Sequence, residues 1–271
     1  MEPETMQIAV SELVAPTPHK MHDFLAAAKT AGFEGVEMSL RPGSNNPFNY
    51  QTSDADLKDF KKTAADLGLA IGSITISTDG GNLLESGAEA QKSIDQTVWG
   101  LECAAKLGAD VALHTLGRLH ADLYYEDAFN NAITSLKTIA KTAEKLQVAL
   151  AVEFVWNGFL FSPLEMRRLL ETVGSSHVGF YFDPGNMAVF QFPQHWVRAL
   201  GAWTKRVHLK DWKGRALNGA WTALTEGEVN FPVVMRELRA AGYRGPLVSE
   251  VPDSLAPWDE TAKTMRKIAA M

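Results

Sequence analysis

Four apolar stretches in the second half of the chain run directly into a side chain that can bind a cation: Ala149-Leu150-Ala151-Val152-Glu153, Phe180-Tyr181-Phe182-Asp183, Arg206-Val207-His208-Leu209-Lys210-Asp211 and Leu247-Val248-Ser249-Glu250. A carboxylate at the end of a buried run is costly unless paired, and three together repel unless a cation or shared protons intervene. One divalent ion held by Glu153, Asp183, His208 and Glu250 meets that cost. Three carboxylates and one imidazole suit a hard to borderline metal, Mn²⁺ first, then Mg²⁺ or Co²⁺. Zn²⁺ is less favoured, because no thiolate and a single imidazole are offered. Taken singly, each residue has a plainer use. Glu153 or Glu250 could sit in an ion pair, Asp183 before Pro184-Gly185 could be a turn residue, and His208 could be a hydrogen-bonded core histidine. The set, one per successive apolar run, is what argues for a single site.

The elements that must bring these residues together are short β-branched runs alternating with longer amphipathic ones, a pattern that implies parallel strands joined by helices. The sequence predicts strands at 7–10, 35–38, 70–76, 111–114, 149–154, 178–182, 206–210 and 247–251. Helices are predicted at about 19–31, 54–67, 87–107, 125–146, 163–173, 194–201, 232–241 and 257–270. Punctuation agrees: Ser162-Pro163 offers a capping hydroxyl before a first-turn proline, and Gly32, Gly68, Gly108 and Gly242 can end helices left-handed. Eight βα units in 271 residues, with no break in composition, predict one closed (β/α)₈ barrel occupying residues 1–271 as a single domain. Such barrels carry their chemistry at the C-terminal ends of the strands, where the four candidate ligands fall. No Gly-x-Gly-x-x-Gly follows an early strand, so dinucleotide binding has no signal.

A net charge of -6, without any block of Lys or Arg, argues against nucleic acid as a partner. Met1-Glu2-Pro3-Glu4-Thr5 lacks the basic start of a secretory signal, and no segment has the ~20 apolar residues that span a bilayer. A soluble, cytoplasmic protein is expected, and a homo-oligomer is compatible with it. Cys103, the single cysteine, lies in a helical pattern with Leu101, Ala104 and Leu107 and reads as a small buried hydrophobe.

Further motifs join the four ligands: Phe33-Glu34-Gly35-Val36-Glu37, Phe182-Asp183-Pro184-Gly185-Asn186-Met187, and the closing Glu226-Gly227-Glu228-Val229-Asn230-Phe231 with Gly242-Tyr243-Arg244-Gly245-Pro246-Leu247 and Glu250. With these the chain resembles, over nearly its whole length, the xylose isomerase-like barrel superfamily of sugar isomerases, ketose 3-epimerases, inosose dehydratases and endonuclease-four-type repair enzymes. The resemblance implies that Glu153, Asp183, His208 and Glu250 bind the metal and that Glu153 and Glu250 also move protons. It implies a sugar or sugar-phosphate isomerase or epimerase that abstracts a proton next to a carbonyl through a metal-bound enediolate. The alternative is a dehydratase of a keto-polyol such as inosose, or of a dehydroshikimate-like acid. Epimerases of this kind carry His three residues after the metal Asp and Glu six residues after the first metal Glu, whereas here those positions are Asn186 and Phe159. A histidine-rich multi-metal repair site is excluded by Asn186 and by the lack of an Asp-x-His triplet.

A small sugar or polyol is thus the expected partner, and six residues are candidates to touch it. His114 ends the fourth strand and serves there or as a structural hydrogen bonder. Trp156 offers an aromatic wall, and Asn186 follows the metal Asp. Lys210 and Asp211 orient substrate or His208, or form an ion pair with each other. Arg215, with Lys213, grips an anion or belongs to a solvated loop. Glu37 reads as a residue supporting a ligand or lining the pocket.

Overall fold

The apolar runs become strands because each can bury both faces, and the amphipathic runs become helices that cover them. The computed structural model describes residues 6–216 and 218–271, so the acidic start Met1–Thr5 lies outside the described residues. The chain alternates β1 (Ile8–Ser11), α1 (Met21–Ala31), β2 (Gly35–Leu40), α2 (Asp54–Asp66), β3 (Ala70–Ile76), α3 (Gly87–Leu107), β4 (Val111–His114), α4 (Tyr125–Leu146), β5 (Ala149–Glu153), α5 (Pro163–Val173) and β6 (Val178–Phe182). It continues through α6 (Pro184–Ala188), α7 (Pro193–Leu200), β7 (Thr204–Leu209), β8 (Asp211–Arg215), β9 (Asn218–Thr222), α8 (Phe231–Ala240), β10 (Leu247–Ser249) and α9 (Trp258–Ala269). Eight of the strands close into a parallel barrel in the order β1-β10-β7-β6-β5-β4-β3-β2, which is the predicted TIM barrel. The seam is made by β10, which pairs Leu247 with Ile8 of β1 on one side and with Val207 of β7 on the other.

Helix ends follow the predicted chemistry. Ser53 and Asp56 form a reciprocal capping box at α2, and Ser162 accepts from the Leu164 N–H ahead of α5. Gly32 and Gly108 close α1 and α3 at φ 93° and 89°, where an L side chain is strained. Three of these elements have no counterpart in the prediction. The short helix α6 directly follows Asp183, and β8 pairs antiparallel with β9 to make a hairpin above the barrel, where a polar loop reads from Lys213-Gly214-Arg215. The hairpin stands because Trp212 and Trp221 are register partners whose rings meet edge to face at 5.0 Å, an apolar payload large enough to hold a two-stranded ribbon.

Strand alternation divides the core into two layers. Leu150 and Val152 of β5 face the helices, where α4 lays down Leu136 and Ile139; burying each such side chain contributes about 1.5–3 kcal/mol. Ala149 and Ala151, with Val111, Leu113 and Tyr181, form a separate cluster inside the barrel. The same alternation puts Glu153 two residues beyond Ala151 on that inner side. Cys103 is buried in α3, and burial pushes its thiol up to about 12, consistent with the inert small hydrophobe expected. No helix among the described residues is long and apolar enough to cross a membrane.

Candidate metal centre

The four expected ligands meet at one end of the barrel, each delivered by the end of its own strand. Glu153 closes β5, Asp183 follows β6, His208 lies in β7 and Glu250 follows β10. One ligand atom from each can be chosen so that all four lie within 4.8 Å of one another. His208 Nδ1 is 3.2 Å from Glu153 Oε1 and 3.5 Å from Glu250 Oε1. Ligands about 2.1 Å from one octahedral cation stand roughly 3 Å apart along an edge and about 4.2 Å apart across the ion, so this spacing fits a divalent metal. Asp183 keeps an oxygen free for it. Its Oδ1 caps α6 by accepting the Gly185 and Asn186 N–H groups at 2.8 and 3.2 Å. Its buried Oδ2 accepts no hydrogen bond and faces Lys210 Nζ, 2.9 Å away, as an ion pair.

Charge at the site is out of balance without an added cation. Glu153, Asp183 and Glu250 crowd together above a fourth buried carboxylate, Glu37, with Lys210 and His208 as the facing bases. Burial pushes Glu153 up to about 7, against the pull of His208. Burial also opposes a charge on Lys210, but Asp183 and Glu250 outweigh it and hold the ammonium well above its ordinary range. Beneath the site, Glu37 is driven down to about 2, since His208 and the hydroxyls of Tyr181 and Ser73 overcome its burial.

The six residues expected at the substrate divide. Lys210 joins the cluster, paired with both Asp183 and Glu250. Trp156 stands at the mouth, 44% exposed, with its ring stacked on Trp221 at 5.2 Å and 3°. Asn186 joins the cluster: its amide donates to Glu153 Oε1 at 3.2 Å and to the Phe154 carbonyl at 3.0 Å, which aims Glu153. His114 is buried and on the other face of β4, because Leu113 already points inward to Tyr181. There its Nδ1 accepts the Leu116 N–H at 2.8 Å, and burial lowers its pKa to about 4, keeping it neutral. Arg215 ends β8, exposed and paired in register with Asn218 of the hairpin.

Asp211 borders a cleft beside Lys210 and Glu250, and the backbone engages its carboxylate. Its two oxygens accept four backbone N–H groups, from Trp212, Thr225, Gly227 and Val229 at 2.9 to 3.1 Å, and so tie residues 223–229 to the hairpin. Asp211→Ala strands those donors and is expected to cost at least about 1–3 kcal/mol. A lowered urea midpoint, together with new proteolytic cleavage between 211 and 229, checks it.

The reading of residue types missed the hairpin tryptophan and Tyr181. Trp221 takes Lys210 Nζ over its ring at 5.2 Å, and it helps line a cleft of about 260 Å³ with Leu13, Lys210, Glu250, Pro252 and Leu255. Tyr181, two residues before Asp183 and therefore on the same inner face, could have been found from strand period alone. A cavity of about 250 Å³ around Arg206 and Asp110 lies at the opposite end of the strands, away from these ligands.

The chain matches the family described as xylose isomerase-like TIM barrel over residues 25–268. It is 25% identical over 267 residues to the L-ribulose-5-phosphate 3-epimerase of Escherichia coli O157:H7, which covers 94% of this chain and 88% of that protein. Its structure is similar to that of a D-tagatose 3-epimerase-like protein, with a TM-score of 0.83 and 18% identity over 97% of each chain. It is also similar to D-allulose 3-epimerase from Methylomonas sp. in complex with D-allulose, with a TM-score of 0.79 and 16% identity over 98% of each chain. Strand order, ligand set and family match converge: this chain belongs to the xylose isomerase-like TIM barrel family.

Proposed function

We propose that the protein is a divalent-metal-dependent isomerase or epimerase of a sugar or sugar phosphate, with Glu153 and Glu250 as its proton-transfer pair. The observation that carries this reading is the convergence of Glu153 and Glu250 on His208 Nδ1 at 3.2 and 3.5 Å, two carboxylates on one buried centre. A divalent cation held by Glu153, Asp183, His208 and Glu250, with Mn²⁺ the best match to the donor set, supplies Lewis acidity that lowers the pKa of a C–H next to a carbonyl. One glutamate takes that proton as the enediolate forms, and the other returns a proton to the opposite face or to the neighbouring carbon. Lys210 orients Glu250 and Asp183, Asn186 orients Glu153, and the stacked Trp156 and Trp221 present an aromatic face on which the apolar edge of a sugar can pack. The epimerase names of the relatives support the same chemistry.

The test is incubation of the Mn²⁺-loaded protein with ketoses, their phosphates and inosose in D₂O, followed by NMR and ultraviolet absorbance. Deuterium entering the carbon beside the carbonyl, only with metal present, is the expected result. A new unsaturated ketone absorbance moves the assignment to dehydration. Metal binding without exchange on any of these compounds overturns it.

A further inference from the structure

A buried polar pillar runs beneath the ligands and crosses the inside of the barrel. Glu37 of β2 places Oε1 2.8 Å from His208 Nε2 on β7. Its Oε2 accepts the Ser73 hydroxyl of β3 at 2.8 Å and the Tyr181 hydroxyl of β6. Glu37, Tyr181 and His208 are 0% exposed and Ser73 is 1% exposed. The Tyr181 ring lies against His208 with centroids 4.3 Å apart, so the imidazole is boxed on its face as well as at its edge.

We propose that Glu37 is the positioning residue of this site: through Nε2 it fixes the tautomer and angle of His208, so that a bare Nδ1 is offered to the cation. The inference rests on the metal-site reading above and adds a role for a residue that touches neither cation nor substrate. A neutral imidazole carries one N–H, and a carboxylate that already accepts two hydroxyls has no proton to give. In the neutral ring that a cation requires, the proton therefore sits on Nε2, pointing at Glu37 Oε1, and Nδ1 keeps its lone pair. That atom faces oxygens of Glu153 and Glu250 at 3.2 and 3.5 Å, a contact in which a bound cation takes the place a proton can otherwise fill. The two hydroxyls on Oε2 fix the plane of the carboxylate, as Glu37 itself fixes the ring. A core needing only to be filled would use apolar side chains of similar volume, which are no less stable than buried charge.

Two measurements test this. In histidine-¹⁵N-labelled wild type loaded with Zn²⁺, NMR should show His208 protonated on Nε2 and shifted by metal at Nδ1; the reverse pattern overturns the proposal. Calorimetric titration of Mn²⁺ into the metal-free protein should show Glu37→Leu binding about 10–100-fold more weakly than wild type. Glu37→Gln, which keeps one acceptor for Nε2, should recover most of that loss. If Glu37→Leu lowers the metal-free unfolding temperature while its folded fraction binds Mn²⁺ as tightly as wild type, Glu37 is only a packing group and the proposal fails. A wild type that binds metal through Nδ1 but exchanges no deuterium sinks the proton-transfer reading and leaves this one intact.

Discussion

Glu250→Gln, saturated with Mn²⁺, stops interconversion of the two epimers, with a loss of roughly 10²–10⁴-fold in kcat, the range that a positioned general base or acid supplies. Glutamine preserves the volume of the side chain and one oxygen that can still face the cation, but it accepts no proton at neutral pH. The remaining glutamate can still remove and return a proton on its own face. Each single variant should therefore exchange deuterium into one epimer alone while converting neither. Glu153→Gln gives the mirror result, exchanging the other epimer. NMR of both epimers in D₂O reads out the asymmetry directly, and two variants that wash deuterium into the same epimer would contradict the two-sided assignment. Because both side chains are also proposed ligands, Mn²⁺ content must be measured alongside, which separates lost proton transfer from lost metal.

Stripping the metal with EDTA lowers the unfolding temperature by about 5–10 °C relative to protein in Mn²⁺ at a hundred times its dissociation constant. That ligand excess contributes about 2.7 kcal/mol, and each kcal/mol moves the midpoint of a chain of this size by roughly 2–4 °C. The sign follows from the crowded carboxylates, since without the ion Glu153, Asp183 and Glu250 have only Lys210 and His208 to offset them. Asp183→Ala is the control. It removes the oxygen that takes no hydrogen bond and, with it, most of the thermal response to Mn²⁺. Calorimetric scans of both proteins with and without Mn²⁺ check the difference, and an equal response in both removes Asp183 from the ligand set.

The barrel was legible because its strands are short, apolar and separated by helices with chemically marked ends; β3, β4 and β6 have the bounds that the residue pattern predicts. The four candidate ligands stood out for a related reason: each is a polar residue where an apolar run should continue. What stayed hidden depended on which way side chains point and on who meets whom across long separations. His114 ends its strand as Glu153 does, yet the period-two alternation sends it to the outer face, and only the position of Leu113 inside the barrel reveals that. Asp211 follows Lys210 in a run that looks catalytic, but its partners are backbone amides up to 18 residues ahead, in a loop whose path local pattern does not specify. The hairpin was hidden because its stability comes from one cross-strand tryptophan pair rather than from alternation along either strand.

The three-residue strand β10 both carries the chain to Glu250 and supplies the pairing that joins β7 to β1. Shutting the cylinder and bringing Glu250 to the candidate metal centre are thus the work of the same three residues. Without β10 the ends of β5, β6 and β7 would still carry Glu153, Asp183 and His208, but the candidate centre would lack Glu250.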